Sequence, residues 1–188
     1  MSTPGQHAYK EWSPIVSALG SGSQILLLRK GGIAEGPGGF RPEHPAFWLY
    51  PTLFHPESDK LKTVPPHLPL PLDTPSIPIQ FHALVSDVFR LHNPASLSAL
   101  DAFHLWAPEE ITRRWHYGST PGLFAMIVRV STLPSPFPLA PSPAYAGCKS
   151  WIALEQSPPT SDLRPVQDDP TFEAERQKIL QILANPSS

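Results

Sequence analysis

Apolar positions along the chain come in short runs divided by glycine and proline, and the runs define the elements. Ile25–Leu28 is an apolar run bracketed by glycines, too brief for a helix, and predicts a buried strand over 24–30. Upstream, Trp12, Ile15, Val16 and Leu19 recur at helical spacing and stop at Gly20-Ser21-Gly22, which predicts a helix over 10–20. Pro14 fits its first turn, where a missing N–H costs little. Residues 1–9 read as a flexible tail. The unit is helix, tight glycine turn, strand, and then the basic pair Arg29-Lys30.

Gly31–Gly39 carries five glycines in nine residues and predicts a loop, without the ending of a phosphate-binding P-loop. Phe47–Tyr50 is a run of strand-forming aromatics, and Pro51 ends it or marks a sheet edge. A period of two sets Phe47 and Leu49 on one face, Trp48 and Tyr50 on the other. The proline-rich stretch 56–78 predicts an extended connection. Ile79–Leu91 reads as a strand, broken by Asn93-Pro94. Two helices come next, Ser96–Trp106 and Pro108–Tyr117, the second opening Pro-Glu-Glu and closing on cations. Leu123–Val130 is a strand, 134–143 a proline loop, and Gly147–Leu154 a closing strand. Asp168-Asp169-Pro170 starts a terminal amphipathic helix.

Strands without regular intervening helices argue against a doubly wound sheet. They predict an α+β domain: a small mixed β-barrel with peripheral helices. Its core spans 10–154, followed by a polar linker at 155–168 and a helix with a short tail at 169–188.

Composition changes this picture little. The 26 prolines among 188 residues would suggest disorder, but 40% of the chain is apolar, with five Trp and nine Phe, enough to build a core. Net charge is −2, so no global field draws the chain to nucleic acid or anionic membrane. Any basic site must be local. One cysteine, Cys148, excludes an internal disulfide and reads as a structural thiol. No cationic leader and no apolar run of about 20 residues is present, so a cytoplasmic protein without a membrane partner is expected. No metal motif and no cofactor motif occurs.

Local chemistry gathers in five places. Arg29 and Lys30 are placed to hold an anion, or form a solvated strand end. Trp48 and Tyr50, with Thr52 beside them, offer a stacking face for a base, or belong to the core. Glu43, His44 and His55 flank the same strand as candidates for acid–base chemistry. Arg113, Arg114, Trp115, His116 and Tyr117 form a basic–aromatic cluster suited to a nucleic-acid surface, although a helix C-terminus also accounts for its cations. Lys149 and Trp151 join the ligand-site candidates from the closing strand.

Two resemblances carry further expectations. Glu11-Trp12, Leu26–Ile33, Glu43-His44, Phe47–Thr52, His55 and Gly147–Trp151 resemble the bacterial family called domain of unknown function 1802, over roughly residues 8–184. That family name implies no activity. Separately, Gly22, Gln24, Leu27 and Arg29 fall at the spacings of the Gly-x-Lys-x-x-Glu-x-Arg motif of ASCH domains, a group of PUA-like β-barrels. Gly and Arg match, while Gln replaces Lys and Leu replaces Glu. This resemblance implies a PUA-like barrel that binds RNA, a nucleotide or a modified base beside the first helix and strand, with Arg29 as a contact. The alternative is a hydrolase acting on a nucleotide or nucleic acid through Glu43, His44 and His55.

Overall fold

A computed structural model describes residues 6–30, 44–52, 59–63 and 76–184. The glycine loop 31–39, Glu43, His55 and most of the stretch 56–78 lie outside the described residues. Among the described residues, seven strands and four helices make an α+β unit. In chain order they are β1 (His7–Trp12), α1 (Ser13–Gly20), β2 (Leu26–Arg29), β3 (Ala46–Thr52), β4 (Ile77–Leu91), α2 (Ala95–Ala99), α3 (Pro108–His116), β5 (Leu123–Leu139), β6 (Trp151–Ala153), β7 (Arg164–Pro165) and α4 (Asp169–Ala184).

The strands form one mixed sheet in the order β2-β5-β4-β3-β1-β6, with β7 added to β5. Only β1 and β3 run parallel. The expected barrel does not close: among the described residues β2 and β6 end the path and do not pair. Closure needs strands that overlap with a consistent stagger, and no such overlap joins the two end strands among the described residues. A seam is left between them.

Residues 7–12 are the main departure from the sequence reading. They form a strand rather than a tail and a helix start, lying between β3 and β6. Their alternation divides two cores. Tyr9 joins Phe47 and Leu49 in the larger cluster, while Ala8 joins Trp48 and Ile152 in a smaller one, against which Tyr50 packs. The expected facing of Phe47 and Leu49 against Trp48 and Tyr50 holds. The helix is confined to Ser13–Gly20, where Pro14 occupies the first turn. Gly20 permits close packing: a Cβ there would lie 2.3 Å from the Phe81 ring.

The second departure is the proline segment after residue 130. β5 continues through Pro134, Pro136 and Pro138 to Leu139, with Pro78 opposite Pro138. Prolines at period two all lack a donor on the same strand edge, so Phe137 and Leu139 keep theirs for β4. Pro51 is accommodated likewise, because β4 pairs with β3 only at Ala46–Trp48.

The helix expected over 96–106 is short: α2, then a 3-10 turn at Asp101–Phe103. The segment 59–63 lies across residues 105–107, through Lys62 N–H to Leu105 O and Ala107 N–H to Lys60 O. Helix α4 buries Phe172 and Ile179. It is tied to β4 by Arg176, which donates twice to Asp87 at 2.6 and 2.7 Å. Among the described residues no helix is long and apolar enough to cross a membrane.

Candidate functional site

Arg29 is the last residue of β2, and its side chain reaches across the seam. Nη2 donates to Ser150 Oγ at 2.8 Å, immediately before β6. Nη1 lies 3.7 Å from Glu11 Oε2. The guanidinium sits over the Tyr9 ring, 5.1 Å from its centroid. Glu11 and Ser150 are buried, at 1% and 2% exposure, and the Arg29 side chain keeps 19%. Arg29 is therefore the part-exposed member of this cluster.

Rings extend the cluster along the seam. Trp151 packs edge-on against Tyr9 at 4.8 Å, Phe47 at 5.0 Å and His44 at 5.0 Å. His44 stacks on His7 with centroids 3.6 Å apart. Trp151, His44 and His7 are all part-exposed. A guanidinium and part-exposed rings thus lie together along the seam, a combination that suits a ligand with polar and planar parts.

The remaining candidates are scattered. Lys30 adjoins Arg29 in sequence but turns to the C-terminus of α3. There its ammonium donates to Trp115 O at 2.9 Å, Gly122 O at 3.0 Å and the Thr120 carbonyl. All three ammonium hydrogens are engaged, and burial lowers its pKa. It caps a helix and has no donor left for an anion. Trp48 is fully buried in the smaller core, with no face for a base. Tyr50 packs near Tyr145 on that side, and burial raises its pKa. Thr52 donates to Glu11 O at 3.1 Å, so it steadies β1. Lys149 is exposed beside Ser150.

The α3 cluster is mostly engaged within itself. Glu110 accepts from Arg113 at 2.8 Å twice and from Arg114 at 2.7 Å. Against the cost of burial, these bonds hold its carboxyl below the usual range. Arg114 lies over the Trp106 ring at 3.5 Å, and Trp115 is buried. Arg113, His116 and Tyr117 remain exposed.

Of the acid–base candidates, His44 reaches the seam; Glu43 and His55 are outside the described residues. Among the described residues no three His, Cys, Asp or Glu side chains gather to hold a metal. Tyr9, Glu11, Ser150 and His7 were not among the sequence candidates. They follow from the strand that 7–12 forms between β3 and β6: with period two, Tyr9 and Glu11 share a face, and Ser150 enters from the start of β6.

Comparison with known proteins gives a family and a set of folds. The family model described as Domain of unknown function (DUF1802) matches residues 8–178. No curated protein matches the chain. Among solved structures, ASCH from Zymomonas mobilis is similar at 13% identity and TM-score 0.48, covering 95% of each chain. A point variant of that protein is similar at 12% identity and TM-score 0.49, covering 81% of this chain and 91% of the other.

Proposed function

We propose that this chain, which belongs to the DUF1802 family, binds RNA or a nucleotide in the seam between β2 and β6. One observation carries the reading: Arg29 is held at the mouth of that seam by Ser150, beside part-exposed Trp151 and His44. A fixed guanidinium gives directional hydrogen bonds, and a part-exposed aromatic gives a stacking platform worth about 1–3 kcal/mol per base. The Gly22 and Arg29 spacing in the sequence leads to the same expectation.

The test is fluorescence anisotropy with short single-stranded RNAs, using the wild type, Arg29→Ala and Trp151→Ala. Binding by the wild type that both substitutions weaken supports the reading. No measurable affinity of the wild type for any RNA or nucleotide, even at low salt, overturns it.

The stacked His7–His44 pair favours a second reading, acid–base chemistry on the same ligand. Hydrolysis of RNA or nucleotides by the wild type that His44→Ala abolishes, with binding retained, would establish it. A wild type that binds without turnover removes it.

A further inference from the structure

Glu11 gives the seam a second sign of charge. Its carboxylate is buried at 1% exposure, with Oε1 accepting from the Trp12 N–H at 2.8 Å. Among the described residues, Oε2 accepts no hydrogen bond. The nearest cation among the described residues, Arg29 Nη1, stands 3.7 Å away, well beyond the roughly 2.7–2.9 Å of a charge-assisted bond. A buried carboxylate oxygen without a donor is costly, so the arrangement favours a ligand that brings one. Beside it stands the Arg29 guanidinium, which donates to Ser150, and the two charges cancel.

From this geometry we infer that the Arg29–Glu11 pair reads the edge of a nucleobase rather than a phosphate. An acceptor and a donor side by side match what a base edge presents, a carbonyl or ring nitrogen next to an amino or imino N–H. A phosphate brings acceptors alone and would meet Glu11's charge behind Arg29. The base takes the place of Ser150 on Arg29, presents its N–H to Glu11 Oε2, and lies against the part-exposed ring of Trp151. Glu11 is then a specificity-determining residue. This inference rests on the proposal of RNA binding and narrows it to the group recognised at Arg29.

The salt dependence of RNA binding tests it, because only phosphate contacts release counterions. Binding of a short single-stranded RNA is measured across a salt series for the wild type, Arg29→Gln and Glu11→Gln. The expectation is that Arg29→Gln and Glu11→Gln each weaken binding about 10- to 100-fold, as for loss of a paired base contact, and leave the slope of log K against log salt unchanged. A slope shallower by about 0.7 in Arg29→Gln, the value for one phosphate on a single strand, overturns the inference, as does tighter binding by Glu11→Gln. Competition against the wild-type complex needs no variant. Free nucleosides should displace the RNA at concentrations where inorganic phosphate does not; the reverse order overturns base-edge reading. Failure of the wild type to bind RNA or nucleotide at all sinks the functional reading itself, a different outcome from binding with a phosphate-type slope.

Discussion

Arg29 and Ser150 stand 121 positions apart, yet the 2.8 Å bond from Nη2 to Oγ joins the two end strands of an open sheet. Among the described residues the backbone leaves β2 and β6 unpaired with each other; side chains close the distance instead. A double-mutant cycle with Arg29→Ala and Ser150→Ala should give a coupling energy of about 1–2 kcal/mol in urea unfolding. Strict additivity of the two would mean that the bond does not hold the seam.

Lys30 should behave differently from its neighbour. Lys30→Met removes the ammonium that bonds Trp115 O at the end of α3 and the Thr120 and Gly122 carbonyls after it. We expect a loss of roughly 1–2 kcal/mol of stability, with RNA affinity and its salt slope unchanged. A change of slope would assign Lys30 to the ligand after all.

His104 makes stability depend on pH. Burial, with the nearby Lys62 charge adding to it, pushes its pKa from 6.5 down to about 4. The unfolded chain takes up the proton first as pH falls. This contribution is therefore complete above the unfolded value and is lost progressively between 6.5 and 4. The protein should be roughly 2 kcal/mol less stable at pH 5 than at pH 7 from this group alone. His104→Leu should flatten the urea-midpoint profile across that range. An unchanged profile would place the acid sensitivity elsewhere.

The α4 clamp can be opened from either side. The hydrogen bonds from Arg176 hold the Asp87 carboxyl below its usual range, so this stabilisation is present above an ordinary aspartate pKa and lost on acidification below it. At neutral pH, Asp87→Asn should cost about 1–2 kcal/mol and raise hydrogen exchange in α4 before that in β4 and β5. Uniform acceleration across the chain would instead show that α4 opens only with the whole fold.

Gly20→Ala tests the packing of α1 on β4. The added methyl meets the Phe81 ring at 2.3 Å, and Phe81 is itself buried at 7% exposure. Overpacking of this kind costs about 1–3 kcal/mol, read as a lowered thermal midpoint. A neutral substitution would mean that the ring turns aside freely.

Local pattern in the amino-acid sequence was enough to dictate several elements. β2 arises from Ile25–Leu28 between glycines, α3 from Pro108-Glu109-Glu110 and its basic end, and α4 from Asp169-Pro170 with its spaced apolar residues. The facing of Phe47 and Leu49 against Trp48 and Tyr50 comes from the pleat alone. Local pattern could not decide β1, because His7–Trp12 mixes charged, aromatic and small residues and becomes a strand only when β3 and β6 supply its hydrogen bonds on both sides. Nor could it decide that Pro134, Pro136 and Pro138 continue a strand, since that depends on which edge faces a partner. Arg29-Lys30 shows the limit most directly. Adjacent residues at a strand end point to opposite sides, so one meets Ser150 and Glu11 while the other caps α3. The candidate site exists because the sheet brings residues 9, 11, 29, 150 and 151 to one seam between its two end strands, and long-range pairing of that kind has no signature in local sequence.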